Sequence, residues 1–226
     1  MPTWMAMSWS LAVEEQFYFV LPAIVRVAGR RALAVGTATI IVLSPTYRAW
    51  LQTRNPHLGD DFFFSTPARL DALAMGVAAA LLVRDQRAWE WPSRKRAVLI
   101  TTLAVLFALF IAMTYWPRMP LLAPVDRFTA VSALYVTALL AVIVHPATGL
   151  GAVLRTRVLQ YFGRVSYGIY IFHQGIHAMV YSLVGPSGFM IPATILATAA
   201  TLLIADVSWR LLESRLIRRA HLRYRY

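Results

Sequence analysis

Residues 97–116 read AVLITTLAVLFALFIAMTYW and contain no charged side chain. About 20 apolar residues in a helix are enough to cross the ~30 Å hydrocarbon layer of a bilayer, so this stretch predicts a transmembrane helix. Two similarly clear stretches follow it, at 128–146 and 190–212. Further apolar stretches, interrupted by more polar side chains, lie at 12–29, 32–50, 66–84 and 163–184. The pattern predicts an all-α, polytopic transmembrane helical bundle of about seven spans.

The composition of the whole chain agrees with a lipid environment. Of its 226 residues, 59% are hydrophobic and 14% are charged, against about 45–50% and 25% in ordinary soluble domains. The mean hydropathy is +0.59. A soluble globule and a disordered chain are therefore both excluded. The absence of cysteine also excludes disulfides, thiolate catalysis and cysteine-ligated metals.

The positive charges predict how the chain is oriented in the membrane. The formal net charge is +12, and the basic residues lie between the apolar stretches or near their ends. This distribution favours orientation charges on membrane loops over a nucleic-acid-binding surface. With seven spans, 17 of the 22 Lys and Arg residues fall on one side, which is then cytoplasmic. The N-terminus is accordingly predicted outside and the C-terminus in the cytoplasm.

The first segment whose side chains are candidates for a functional site is WSLAVEEQFY, at residues 9–18. Glu14 and Glu15, followed by Gln16, stand at the outer edge of the first predicted span, where a carboxylate is costly. A partly desolvated carboxylate there is suited to proton transfer or to holding a histidine or a sugar hydroxyl. The alternative is that both carboxylates simply lie in water outside the membrane.

The second segment is FFFSTPARLDALAMG, at residues 62–76. Arg69 and Asp71 stand at the outer mouth of the third predicted span. Residues two apart on a helix do not face each other, so we expect their partners on other helices. Gly76 returns to the same side as Arg69, and we expect it to permit a close helix approach. The alternative for Arg69 is that its side chain reaches up to the lipid headgroups.

The third segment is GRVSYGIYIFHQ, at residues 163–174. Four polar aromatic side chains follow at spacings of three, four and four residues: Tyr170, His173, His177 and Tyr181. A single intramembrane histidine usually serves packing, whereas four such groups on one helix face indicate a pocket or a relay. The spacing of His173 and His177 suits a metal, but zinc enzymes of that design have a glutamate where this chain has Gln174. We therefore expect no metal site.

Together the three segments resemble the bacterial integral-membrane acyltransferase family numbered three, which O-acetylates or O-acylates surface sugars. The family pattern W-S-L-x-V-E-E-Q-F-Y-x-x-x-P matches residues 9–22. The pattern F-F-x-x-x-x-R-x-x-A-L-x-x-G matches residues 63–76, and G-x-x-S-Y-x-x-Y-x-x-H matches residues 163–173. We refer to these ranges below as motifs 1, 2 and 3. The resemblance spans essentially the whole chain.

The resemblance implies an O-acyltransferase of the bacterial cytoplasmic membrane. Its expected reaction moves an acyl group, which we expect to be acetyl, from cytoplasmic acyl-CoA to a hydroxyl of a cell-surface or exported carbohydrate such as lipopolysaccharide. Acetyl-CoA is then a donor co-substrate, and no bound cofactor is expected. The expected partners are the lipid bilayer, acyl-CoA and a carbohydrate acceptor, without nucleic acid.

The resemblance also suggests roles for individual residues. The expected catalytic residues are Glu14, Glu15 and His173. The expected substrate-binding residues are Trp9, Ser10, Gln16, Tyr18, Arg69, Ser166, Tyr167 and Tyr170. Glu14 is the first candidate for acid–base or orienting work. Arg69 would position the acceptor or counter a developing negative charge, and Tyr170 and His173 would line the pocket.

The resemblance implies a family core of ten helices with both ends in the cytoplasm. This is three helices more than the seven spans of this chain. We therefore expect residues 1–226 to form a single transmembrane acyltransferase domain, the C-terminal portion of such an enzyme, with about three upstream helices missing. Two other interpretations remain. One is a transporter-like protein whose polar stripe passes a solute, and the other is a non-catalytic helical remnant or subunit.

Overall fold

The computed structural model describes residues 8–55, 65–85, 89, 96–115, 124–146, 149–184 and 190–223. In this part of the chain the secondary structure is helical, which confirms the all-α class. The chain divides into two compact units. One is Val13–Ala152, and the other combines Met1–Ala12 with Val153–Tyr226.

The longer helices coincide with the predicted apolar stretches. They are α1 (Ser8–Val27), α2 (Arg30–Arg54), α3 (Leu70–Arg84), α4 (Arg96–Tyr115), α5 (Pro124–Val144), α7 (Arg157–Val184) and α8 (Met190–Ser208). The shorter elements are a 3-10 turn (Thr66–Ala68), α6 (Leu150–Leu154), a π-helical turn (Trp209–Glu213) and α9 (Ser214–Arg223).

Among the described residues, three helical segments are long and apolar enough to cross a membrane. They are Ala97–Tyr115, Arg127–Val144 and Met190–Arg219. These are the same three regions that the sequence marks most clearly. Within them the backbone hydrogen bonds close inside each helix, which is what a segment surrounded by hydrocarbon requires.

In the unit Val13–Ala152, α2 and α3 pack side by side. Arg48 near the end of α2 pairs with Asp71 at the start of α3, while Arg30 at the start of α2 pairs with Asp85 after α3. The two helices are therefore antiparallel. α3 also packs against α5, and α5 packs against α4. At that last interface the Arg127 guanidinium donates a hydrogen bond of 3.2 Å to the carbonyl of Met113.

In the other unit, small side chains allow α7 and α8 to approach closely. The buried residues of α8 recur every fourth position, which places them on one face: Ala193, Ala197, Thr201 and Ala205. Ile176 and Val180 of α7 pack against Ala193 and Ala197. A Cβ on Gly168 would lie 3.0 Å from the Cα of Ala205. Small residues at such positions let two helix backbones come together.

The close helix approach that we expected at Gly76 is wrong. Apart from its chain neighbours and the adjacent backbone of its own helix, no atom of the described residues lies within 4 Å of a Cβ built at Gly76. Gly168 has this role instead. Both glycines are helical, and only the packing of a neighbouring helix distinguishes them.

Candidate functional site

A hydroxyl pair connects motif 1 with motif 3. The Ser10 hydroxyl in the first turn of α1 is hydrogen-bonded to the phenolic hydroxyl of Tyr170 on α7. Both side chains are half-buried. Two of the predicted substrate-binding residues, 160 positions apart in sequence, are thus brought into direct contact.

His173 lies one turn beyond Tyr170, and its ring is oriented by its own helix. The ring centroids of Tyr170 and His173 are 6.0 Å apart. His173 Nδ1 lies 2.7 Å from the carbonyl oxygen of Tyr170 and 3.1 Å from that of Ile169. Because a carbonyl oxygen can only accept, Nδ1 of the neutral ring carries the proton in this arrangement. Nε2 then carries the unprotonated lone pair, so this nitrogen can act as a base and accept a proton.

The polar stripe on α7 continues beyond His173. The His177 and Tyr181 rings have centroids 6.0 Å apart. The Tyr181 hydroxyl is hydrogen-bonded to the Thr194 hydroxyl of α8 at 2.6 Å. The lower half of the stripe therefore connects α7 with α8, while Tyr170 connects α7 with α1.

Ser166 and Tyr167 also lie on α7. The Ser166 hydroxyl donates to the carbonyl of Gly163 within the same helix at 2.9 Å. The Tyr167 side chain is 51% exposed. The described contacts thus place Ser166 against its own backbone and leave Tyr167 on an open face of the helix.

A second hydrogen bond connects motif 1 with motif 2, within the unit Val13–Ala152. The Thr66 hydroxyl donates to the side-chain carbonyl of Gln16 at 3.0 Å. Of the other motif 1 residues, Glu14 is half-buried, Glu15 is exposed and Tyr18 is 62% exposed. The Trp9 side chain lies outside the described residues.

Among the described polar side chains of the same unit, Arg48 and Asp71 are the most completely buried, and they form a pair. Nη1 of Arg48 lies 3.0 Å from Oδ1 of Asp71, and Nη2 lies 2.7 Å from Oδ2. The Thr129 hydroxyl of α5 donates to the same Oδ2 at 2.6 Å. The side chains of Arg48 and Asp71 are 0% and 2% exposed. The expectation that Asp71 has partners on other helices is confirmed.

Arg48 also holds the 3-10 turn that precedes α3. Its guanidinium donates to the carbonyl of Ala68, and the Ser44 hydroxyl donates to the carbonyl of Pro67. Two side chains of α2 thereby fix the backbone between Thr66 and Arg69. Arg69 is half-buried and occupies the position just before α3.

The pattern of basic residues predicts only an orientation charge at Arg48 and does not indicate this role. A signal was present, because Arg48 lies inside the predicted span 32–50. A charged side chain within a span is usually paired and usually has a purpose. Thr129 carried no comparable signal, since a threonine in an apolar helix is common.

An apolar cavity of about 380 Å³ lies between α1, α2 and α3. Gln16 and Thr66 stand at one end, and Ala28 and Ala32 stand at the other. The distance along α1 from Gln16 to Ala28 is about 18 Å at the rise of an α-helix. Apart from the Gln16–Thr66 pair and Thr37, side chains without polar groups line it. The cavity can hold a narrow, mostly apolar group with a polar end next to motifs 1 and 2.

The chemistry available in the described residues is that of proton transfer and hydrogen bonding. Within the described ranges there is no group of three or more histidine, aspartate or glutamate side chains that could hold a metal ion. The three motifs supply the His173 imidazole, several hydroxyls and the carboxylates of Glu14, Glu15 and Asp71. The histidine lies in one compact unit and the carboxylates lie in the other.

These features define a helical protein with membrane-span candidates, a hydroxyl contact between motifs 1 and 3 in one unit, and a hydrogen bond between motifs 1 and 2 in the other. Residues 1–210 match the family Acyl_transf_3, described as an acyltransferase domain. The chain belongs to this acyltransferase family 3, as the three motifs indicated. No solved structure gives a significant match.

The chain is similar to several bacterial proteins. It is 27% identical, over 96% of its length, to the peptidoglycan O-acetyltransferase OatA of Listeria monocytogenes. It is 28% identical over 91% of its length to the putative peptidoglycan O-acetyltransferase YrhL of Bacillus subtilis, and 22% identical over 91% to a putative O-acetyltransferase of Staphylococcus aureus. The matches cover 36%, 33% and 35% of those proteins. The chain thus spans about a third of the length of these relatives.

Proposed function

We propose that the chain is part of a membrane O-acyltransferase that moves an acetyl group from cytoplasmic acetyl-CoA to a hydroxyl of a cell-surface or exported carbohydrate. The observation that carries this proposal is the family match over residues 1–210. Two similar proteins are named as peptidoglycan O-acetyltransferases, one of them putatively, which supports a glycan acceptor. The identities of the donor, the acceptor and the acyl group are all part of this proposal.

The proposed arrangement in the bacterial cytoplasmic membrane has seven spans, formed by α1–α5, α7 and α8. The N-terminus lies outside and the C-terminus lies in the cytoplasm, since 17 of the 22 basic residues then face inward. The whole chain acts as one domain that completes a ten-helix core with about three further helices. In this orientation the start of α1, the end of α2 and the start of α3 meet the outer surface.

The proposed chemistry needs a base for the acceptor hydroxyl and stabilisation of the oxyanion. The base takes the hydroxyl proton while the oxygen attacks the acyl carbonyl, and the tetrahedral intermediate then expels its leaving group, either the CoA thiolate or a carrier group that has taken the acyl from CoA. Because the donor is cytoplasmic and the acceptor hydroxyl lies at the outer face, the proposal also needs a route that brings the acyl group across the membrane. We assign the acid–base work to Glu14 and His173, whose Nε2 has the free lone pair. Glu15 is the reserve carboxylate. Arg69 supplies positive charge to the acceptor or the oxyanion.

The remaining assigned residues bind or orient substrate. Ser10 and Tyr170 are hydrogen-bonded to each other, so each hydroxyl can orient the other toward a sugar. Gln16 is held by Thr66 at the polar end of the apolar cavity. Trp9, Tyr18 and Tyr167 provide aromatic surface of the kind that carries carbohydrate, and Ser166 lies next to Tyr167.

The proposal is tested by the release of free CoA from acetyl-CoA in membranes that contain this chain. The assay is run with the chain alone and with a co-expressed three-helix segment from the N-terminal part of a family member, each with and without peptidoglycan fragments. Release that depends on acceptor, in either arrangement, supports an acyltransferase. Solute uptake without CoA release would favour the transporter-like alternative, and silence in both assays would favour a non-catalytic subunit.

A further inference from the structure

The helix that contains α8 is longer than a bilayer is thick. The continuous helical segment Met190–Arg219 has 30 residues, which at 1.5 Å per residue corresponds to about 45 Å. The hydrocarbon layer is only about 30 Å thick. If α8 crosses this layer, the chain emerges near the π-helical turn Trp209–Glu213, and α9 begins at the level of the headgroups. Trp209 suits this position, since tryptophan is enriched at membrane interfaces.

Residues 215–219 of α9 present a basic side and an apolar side. The α9 sequence SRLIRRAHLR contains four arginines and one histidine and no acidic residue. Arg215, Arg218 and Arg219 are all exposed, and their spacing of three and four residues places them on one side of the helix. Leu216 and Ile217 are 61% and 45% exposed on the other side.

The acidic residues that precede α9 are already engaged. The Arg210 guanidinium lies 2.8 Å from the Asp206 carboxylate, one turn earlier in the helix. Glu213 accepts a hydrogen bond of 3.0 Å from the Ser208 hydroxyl. Among the described side chains no ion pair joins either carboxylate to Arg215, Arg218 or Arg219, so these three arginines keep their positive charge.

We propose that α9 is an interfacial anchor that binds the anionic phospholipids of the cytoplasmic leaflet. Arg215, Arg218 and Arg219 bind lipid phosphates, while Leu216 and Ile217 insert into the boundary between headgroups and acyl chains. A basic amphipathic helix beside a membrane span is suited to this task. Orientation by positive charge alone would explain the arginines but would leave the exposed apolar side chains without a function.

This anchor is separate from the proposed acyl transfer. α9 begins after residue 210, where the match to the acyltransferase family ends. The proposal requires the cytoplasmic orientation of this helix but no catalytic activity. A test that reads lipid contact directly therefore stands or falls independently of the enzyme assay.

The chain contains no cysteine, so a single nitroxide label can be placed at will. We would label Leu216→Cys and, separately, Arg218→Cys in the full chain, reconstituted in phosphatidylcholine vesicles with or without phosphatidylglycerol. Collision with oxygen and with a water-soluble nickel complex measures the depth of each label. We expect the label at 216 to become lipid-immersed only with phosphatidylglycerol, the label at 218 to stay at headgroup level, and high salt to reverse the effect.

A matched pair of variants separates the anchor from a general charge effect. With the label at 216, changing Arg215, Arg218 and Arg219 to glutamine should abolish the difference between the two vesicle types. Changing Arg26, Arg155 and Arg157 to glutamine, three exposed arginines elsewhere on the proposed cytoplasmic side, should preserve it. A label at 216 that stays equally water-accessible in both vesicles would overturn the proposal. So would equal loss in both triple variants, or protection of the label by RNA but not by phosphatidylglycerol.

Discussion

Arg48 and Asp71 form a bidentate ion pair with nitrogen–oxygen distances of 3.0 and 2.7 Å, and both side chains are almost completely shielded from solvent. Removing one charge from such a pair leaves the other buried and uncompensated, which typically costs about 3–5 kcal/mol. The pair joins α2 to α3, and the Thr129 hydroxyl extends it to α5. It also holds the turn before Arg69, so a structural group fixes the position of a proposed substrate-binding residue.

The first prediction concerns the charge of Asp71. Asp71→Asn keeps the shape of the side chain but leaves the Arg48 guanidinium without its counter-charge. We expect the detergent-solubilised protein to lose about 3–5 kcal/mol of unfolding free energy, measured by chemical denaturation. The double variant Arg48→Met with Asp71→Leu should be milder, because it removes both buried charges.

The Arg30–Asp85 pair provides the matched control. It joins the same two helices, but its side chains are 56% and 33% exposed. Exposed ion pairs contribute about 0–1 kcal/mol, so Asp85→Asn should change stability little. If Asp71→Asn lowered the unfolding free energy no more than Asp85→Asn, the prediction that burial makes the first pair more important for stability would be wrong.

The second prediction concerns the contact between α7 and α8. A Cβ on Gly168 would meet the Ala205 Cα at 3.0 Å and its Cβ at 3.1 Å, so Gly168→Ala forces the helix backbones apart. We expect a loss of roughly 1–3 kcal/mol in unfolding free energy, as for other overpacked sites. Thermal unfolding followed by circular dichroism, with melting compared across variants, measures it.

Two other glycines on α7 make this prediction a test of sign. A Cβ at Gly163 or at Gly175 meets no described atom within 4 Å. Replacing glycine by alanine inside a helix removes a penalty of about 1 kcal/mol when space is available. Gly163→Ala and Gly175→Ala should therefore be neutral or stabilising, and the same destabilisation at all three positions would contradict the packing described.

The third prediction concerns the Ser10–Tyr170 hydrogen bond. Ser10→Ala and Tyr170→Phe each remove one partner, and the double variant removes both. Because the two hydroxyls are hydrogen-bonded to each other, we expect the two single effects on stability to be non-additive, with a coupling of about 0.5–1.5 kcal/mol. Tyr135→Phe, at an exposed tyrosine of α5, is the control and should show no coupling to Ser10→Ala.

The sequence predicts some of these features better than others. Apolar length marks the helices because the hydrocarbon layer imposes it on each span separately, so α4, α5 and α8 follow directly. The residue types in the three motifs indicate the candidate site. Which glycine meets a neighbour, and that Arg48 is the partner of Asp71, depend on how helices dock. Docking is a property of pairs of segments, and the pattern within one segment does not contain it.

The last prediction tests the carboxylate assigned to acid–base work. Glu14→Gln keeps the length and polarity of the side chain but removes the group that exchanges a proton. Positioned general acids and bases contribute about 10²–10⁴-fold to rate, so we expect acceptor-dependent release of CoA to fall by at least about 10²-fold. Insertion and expression should stay normal, since Glu14 is only half-buried. Glu213→Gln is the control, because Glu213 lies in the π-helical turn, beyond the residues that match the family, and should leave the rate unchanged. Wild-type activity in Glu14→Gln would remove Glu14 from the mechanism and leave His173 and Glu15 as the candidate bases.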